Sequence, residues 1–94
     1  MQNGVMNNWY VYMLRCADNS LYTGITTELA RRLHEHNHDN RKGAAYTRGR
    51  RPVSLVYYEA HAGRAEAARR EYAIRRMRRP EKESLISGKS IPAG

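Results

Sequence analysis

The stretch WYVYMLRCADNSLYTGI, residues 9–25, predicts a β-hairpin. Residues 9–16 and 21–25 are rich in aromatic and β-branched side chains, which favour strands. Residues 17–20 between them contain Asp18 and Asn19, which favour a turn because they tolerate positive φ. The length of that turn decides which face of the sheet Tyr22 shares, since a shift of one residue moves every side chain of a strand to the other face.

The rest of the chain predicts helices around one further strand. Residues 28–36 read as a helix, 53–59 as a third strand and 64–79 as a long second helix; a short last helix begins at Pro80 and ends near Gly88. The order β-β-α-β-α-α predicts an α+β fold, a small three-stranded, mostly antiparallel sheet flanked by helices. We expect one domain over residues 9–87, with flexible ends at 1–8 and 88–94.

The charge of the chain points to a polyanionic partner. Seventeen Lys and Arg stand against nine Asp and Glu, a net charge of +8, so nucleic acid and an anionic membrane surface are the two obvious classes. The membrane is disfavoured because no run reaches the ~18 apolar residues of a spanning helix and no signal peptide opens the chain. The single cysteine, Cys16, allows no internal disulfide and no Cys-rich zinc site, so we expect an intracellular, cytoplasmic protein.

Glu71 is a carboxylate on the apolar side of a basic helix. Ala67, Ile74 and Arg75 lie within roughly 60° of it on a helical wheel. A half-buried carboxylate needs a partner. Two alternatives are open: an ion pair with Arg75 or another arginine, or coordination of Mg²⁺ in a protein that binds phosphates.

Arg32 and His36 lie one turn apart on the first predicted helix, at the border of its buried face. An arginine binds phosphate with two hydrogen bonds, and a histidine exchanges a proton near neutral pH. The pair is either part of a site or an ordinary solvated helix edge.

The segment 37–52 between the first helix and the third strand is a long basic loop. Its mixture of cations, a hydroxyl and an aromatic ring is typical of a nucleic-acid contact surface, and the alternative is a solvated loop. Arginines of the second helix and its end either extend this surface or only solubilise the helix. The candidate contact residues are Lys42, Tyr46, Thr47, Arg48, Arg50, Arg51, Arg75 and Arg78.

Two triplets in the predicted hairpin resemble the motifs of a known superfamily. Tyr10-Val11-Tyr12, followed after nine residues by Tyr22-Thr23-Gly24, is similar to the paired motifs of the GIY-YIG nucleases. Arg32 ten residues after Tyr22, His36 one turn later and Glu71 in a helix after the third strand strengthen the resemblance, which is to the small single-domain subfamily. Tyr10 stands where the family motif has Gly.

The resemblance implies a metal-dependent nuclease that cuts phosphodiester bonds, as family members do in DNA repair, recombination, restriction and intron homing. Glu71 would hold one divalent cation, Mg²⁺ or alternatively Mn²⁺. Tyr12 or Tyr22 would bind or deprotonate the attacking water, Arg32 would stabilise charge on the phosphate, and His36 would assist proton transfer or orient the phosphate. Both tyrosine hydroxyls must then converge, which predicts a hairpin turn longer than two residues, or a bulge, that places Tyr22 opposite Leu14.

The sequence therefore predicts a divalent-metal-dependent DNA endonuclease. Single-stranded or branched DNA is favoured because no second DNA-binding domain and no dimer element is visible; RNA and the oligomeric state stay open. Two rival classes remain: a non-catalytic nucleic-acid-binding module that retains the fold, and a protein-interaction adaptor that uses the tyrosine-rich sheet.

Overall fold

The computed structural model describes residues 8–88, which form a three-layer α+β fold. Its three strands form one antiparallel sheet in the order β2-β1-β3, and the element order is the predicted β-β-α-β-α-α with one additional short helix. The predicted flexible ends lie almost wholly outside the described residues. The elements are β1 (Trp9–Arg15), β2 (Leu21–Thr26), α1 (Leu29–His38), α2 (Ala45–Arg48), β3 (Ser54–His61), α3 (Arg64–Arg75) and α4 (Arg79–Ser87).

The turn of the first hairpin sets the register that the site needs. Cys16 N donates to Ser20 O at 2.9 Å, and Asn19 adopts a positive φ of 70°, a conformation that asparagine tolerates. The turn is thus one residue longer than a two-residue hairpin, and Tyr22 pairs with Leu14. The prediction of a longer turn is confirmed, and Tyr22 shares the sheet face of Tyr12.

The sheet is packed on both faces, so alternate residues of β1 enter different cores. Val11 and Met13 pack with Ala67 and Ile74 of α3 on one face. Tyr12 and Leu14 point to the other face, where Leu29 and Leu33 of α1 cover part of the sheet. The central strand is therefore the element that brings the two helical layers together.

Two predicted elements need correction. The second helix ends at Arg75 instead of Arg79, and α4 begins at Arg79. The chain turns there because Pro80 occupies the first turn of α4 and the Glu81 carboxylate accepts a hydrogen bond from Arg78 N at 2.9 Å, which caps a new helix. The segment predicted as a long basic loop also contains a helical turn, α2. The flanking glycines favour a loop, so the sequence does not predict this turn.

Ion pairs join α4 to the first hairpin. Arg15 donates to both Glu83 carboxylate oxygens, at 3.0 and 2.8 Å, and Arg79 Nη2 donates to Asn19 O at 2.8 Å. These contacts hold the last helix against the turn that joins β1 to β2.

Candidate active site

Tyr12 occupies the centre of the sheet face covered in part by α1. It is 2% exposed, and its cross-strand neighbour on β2 is Gly24. A Cβ placed on Gly24 would lie only 2.6 Å from Tyr12 Oη and 2.8 Å from Cζ. The phenol therefore lies across the backbone of β2 at a position where only glycine leaves room.

His36 is fully buried and is hydrogen-bonded to the Tyr12 hydroxyl. Tyr12 Oη lies 2.8 Å from His36 Nε2, and His36 Nδ1 lies 2.9 Å from Thr47 Oγ1. Thr47 Oγ1 also lies 3.0 Å from Ala44 O, a carbonyl that can only accept, so the single hydroxyl hydrogen of Thr47 is used there. His36 Nδ1 must then be the donor to Thr47, which leaves Nε2 as the acceptor of the Tyr12 proton.

The ionisation of both groups follows from this burial. Burial, and to a lesser extent the charge of Arg32, lowers the pKa of His36 to about 4, so the imidazole is neutral at pH 7. Burial raises the pKa of Tyr12 to about 12; Tyr22 and Glu71 act in the same direction, while Arg32 opposes the shift. The resting pair is a neutral phenol hydrogen-bonded to a neutral imidazole.

Tyr22 connects this pair to the surface through a column of rings. Its ring centroid lies 5.1 Å from that of His36 and 6.4 Å from that of Tyr12. On its other side it stacks on Tyr46 at 5.9 Å with an interplanar angle of 28°, and Arg50 lies 3.9 Å above the Tyr46 ring. The predicted catalytic tyrosines and His36 are thus brought together, and Tyr46 joins them.

Arg32 lies beside Tyr12 and is held there by Glu35. Arg32 Nη1 donates to Glu35 Oε1 at 2.9 Å and to Lys42 O at 2.6 Å. The Glu35 side chain also accepts from Arg31 at 3.2 Å, and the hydrogen bonds from Arg32 and then Arg31 hold its carboxyl pKa below the usual range. A guanidinium fixed at one nitrogen is oriented before any phosphate arrives.

Glu71 lies on α3, the helix on the opposite face of the sheet, and its charge acts on Tyr12. Its side chain is 22% exposed, and its salt-bridge partner within residues 8–88 is Arg75, whose Nη1 lies 3.6 Å away and which is 62% exposed. This loose, solvated pair is compatible with both alternatives for Glu71, because it leaves the carboxylate accessible. In the same part of the chain no cluster of three or more His, Cys, Asp or Glu side chains could hold a metal ion.

The candidate nucleic-acid contacts include one buried residue, two arginines bound to backbone carbonyls and several residues with exposed surface. Thr47 is 0% exposed, so its prediction as a direct contact is wrong: it holds His36 instead. Arg51 donates to His36 O at 2.7 Å and Asp39 O at 3.2 Å and caps the end of α1. Arg48 donates to Gly43 O at 3.0 Å.

The remaining candidates all have part of their surface open to solvent. Arg50 pairs with Asp18 at 3.1 Å and covers Tyr46, which is 38% exposed. Lys42, Arg75 and Arg78 are exposed. The predicted basic surface therefore combines exposed cations with arginines that also hold the loop together.

Sequence reasoning missed the positioning role of three residues. Gly24 belongs to a quoted motif, but its close approach to Tyr12 becomes visible only with the register. Glu35 lies three residues after Arg32, a spacing that predicts a helical ion pair. Thr47 carries no local signal for contact with a histidine eleven residues away.

Comparison with known proteins shows the family to which the chain belongs. The model of the GIY-YIG catalytic domain matches residues 8–84. A UPF0213 protein of Desulfotalea psychrophila is 55% identical over 83% of this chain and 70% of its own length, and one of Clostridium perfringens is 54% identical over 87% and 86%.

Two solution NMR structures are also similar. A UPF0213 protein from Bacillus halodurans has 47% identity and a TM-score of 0.56, covering 90% of this chain and 88% of that one. A protein from E. faecalis has 36% identity and a TM-score of 0.60, covering 100% and 96%. No helix in residues 8–88 is long and apolar enough to cross a membrane. The chain belongs to the GIY-YIG catalytic domain family, a nuclease-type family, and to its small single-domain UPF0213 subfamily.

Proposed function

We propose that this protein is a divalent-metal-dependent endonuclease that hydrolyses phosphodiester bonds in DNA, with single-stranded or branched DNA favoured. The observation that carries the proposal is the buried hydrogen bond of 2.8 Å between Tyr12 Oη and His36 Nε2, beside Arg32. A phenol whose proton is directed to an imidazole can take a proton from a water that reaches its oxygen, and this supports a hydrolase.

The pKa values decide when the proton moves. With Tyr12 near 12 and His36 near 4, full transfer in the free protein costs on the order of 10 kcal/mol. Tyr12 is therefore protonated at rest, and its proton passes to His36 Nε2 in the same step in which Tyr12 Oη takes a proton from the attacking water. The water oxygen bonds to phosphorus as the P–O bond to the leaving oxygen breaks, and the leaving oxygen takes a proton from solvent water. Thr47 accepts from the other nitrogen and holds the ring in the receptive tautomer.

Arg32 supplies fixed positive charge to the phosphate. Its anchored Nη1 leaves the guanidinium in one orientation, and preorganised charge stabilises the transition state more than the ground state. The same charge favours the ionised form of Tyr12, so Arg32 assists both halves of the reaction.

Glu71 is the residue that would hold the divalent cation. A partly exposed carboxylate with a partner no closer than 3.6 Å fits a hard ion that takes one or two protein carboxylates and fills its other positions with water and substrate oxygens. The cation would neutralise charge on the phosphate oxygens.

Incubation with labelled DNA tests the proposal. Single-stranded, duplex and branched DNA, with RNA in parallel, are incubated with Mg²⁺, Mn²⁺ or EDTA, using the wild type and Glu71→Gln. We expect metal-dependent cleavage by the wild type, strongest on single-stranded or branched DNA, and none by Glu71→Gln. Binding without cleavage under every condition would instead support the non-catalytic binding module.

A further inference from the structure

Tyr10 and Tyr58 form an aromatic pair on the sheet face that carries Tyr12. Tyr58 pairs directly with Tyr12 in the β1-β3 ladder, so the two side chains point to the same face. The Tyr10 and Tyr58 ring centroids lie 6.0 Å apart at an interplanar angle of 76°, an edge-to-face contact. Tyr58 is 56% exposed, so Tyr10 supports its ring from one side while the rest meets solvent.

The Tyr58 ring differs from the other exposed tyrosines of residues 8–88. Tyr46 has Arg50 over its ring at 3.9 Å, and Tyr72 has Arg76 at 5.4 Å. No guanidinium covers Tyr58 within the described part of the chain, so one aromatic face is open to a ligand. An exposed aromatic ring beside the proposed reaction centre can stack on a partner with a flat face of its own.

We propose that Tyr58, supported by Tyr10, stacks an unpaired nucleobase of the nucleotide next to the cleaved phosphate; this rests on the proposed function. Tyr58 lies on β3 and the Tyr12 hydroxyl lies over Gly24 of β2, on either side of the central strand β1. The two positions are thus about two strand spacings apart, roughly 10 Å, so a base on Tyr58 and a phosphate at Tyr12 belong to nucleotides close together on one strand. The base must be unpaired, because the faces of duplex bases are occupied by their neighbours. The site selects single-stranded segments by stacking, which tolerates any base sequence.

Alternative occupants have less support. Continuity with the Tyr12 site and the net charge of +8 favour a nucleic acid strand over a second copy of the chain, whose equal positive charge would oppose association. A protein partner bound here would also cover the proposed phosphate position beside Tyr12.

Binding measurements separate the stack from the chemistry. In the Glu71→Gln background, fluorescence anisotropy gives the Kd of a short labelled single strand for Tyr58→Ala, Tyr58→Phe and the matched surface control Tyr72→Ala. We expect Tyr58→Ala to bind roughly fivefold to a hundredfold more weakly, with the salt dependence unchanged. Tyr58→Phe retains the ring and should bind about as well as the parent, as should Tyr72→Ala.

Abasic substitution then locates the stacked base. One strand position should exist at which removal of the base eliminates the penalty of Tyr58→Ala. An equal loss of affinity for duplex and single strands, no loss at all, or a change in oligomeric state caused by Tyr58→Ala would overturn the inference. If the wild type cleaves DNA and Tyr58→Ala leaves the Kd unchanged, the stacking site is wrong and the nuclease proposal stands. If binding depends on Tyr58 and no cleavage is detected, the nuclease proposal is wrong and the stacking site stands.

Discussion

Replacement of Gly24 by alanine should lower the cleavage rate although it changes none of the proposed catalytic side chains. The added Cβ would lie 2.6 Å from Tyr12 Oη, so restoring an ordinary contact of about 3.4 Å requires the hydroxyl to move by roughly 0.8 Å. Tyr12 has little room because its ring is 2% exposed and its hydroxyl is bound to His36 at 2.8 Å. A misplacement of about 1 Å costs on the order of a hundredfold in rate, and overpacking costs about 1–3 kcal/mol of stability.

Single-turnover cleavage of labelled single-stranded DNA at saturating protein measures this effect. Gly49→Ala is the matched control, because a Cβ at Gly49 has no atom within 4 Å and the backbone φ is −91°. We expect Gly24→Ala to lose about two orders of magnitude in rate while staying folded and binding DNA, and Gly49→Ala to match the wild type. A folded Gly24→Ala protein with the wild-type rate would show that the position of the Tyr12 hydroxyl is irrelevant to cleavage.

Three further predictions follow from the contacts. Arg32→Ala should lower the single-turnover rate far more than the affinity, because its charge acts on the transition state; a loss confined to Kd would make it a simple phosphate contact. Lys42→Ala should reduce the slope of the logarithm of the DNA-binding constant against the logarithm of salt concentration by roughly 0.7–0.9. Arg51→Ala should mainly lower the melting temperature, because its guanidinium binds backbone carbonyls. The reverse pattern would show that the DNA passes over Arg51 and not over Lys42. His36 has a folded pKa near 4 against 6.5 unfolded, so the unfolded state takes up the proton first as pH falls; stability should drop by about 3 kcal/mol between pH 6.5 and 4, and His36→Gln should lose that part of the pH dependence in urea titrations.

The local elements of the fold follow from sequence pattern, and their boundaries depend on contacts further away. Strand runs and helical periodicity predict the element order, because both periods are written in consecutive residues. The break between α3 and α4 was misplaced because the basic run continues through it, and the break depends on Glu81 capping Arg78 N. The sequence does not predict helix α2, because Gly43 and Gly49 lie close to its two ends and glycines usually indicate a loop.

The candidate site divides in the same way. Tyr12, Tyr22, Arg32 and His36 could be named because residue type and spacing resemble a family, and the register of the hairpin then brings them together. The burial of Thr47 against His36 could not be predicted, since it depends on how the basic loop folds back over α1. The role of a residue that acts through a tertiary contact can be predicted only once the tertiary structure is known.

The cleavage rate of Tyr12→Phe decides whether the Tyr12–His36 pair is the reaction centre. The substitution keeps the ring and removes only the hydroxyl, so packing and DNA affinity should be retained. With saturating protein, Mg²⁺ and the strand that the wild type cuts best, we expect the single-turnover rate to fall roughly a hundredfold to ten-thousandfold. A Tyr12→Phe protein that cuts at the wild-type rate would remove Tyr12 from the chemistry and leave its bond to His36 as a structural contact.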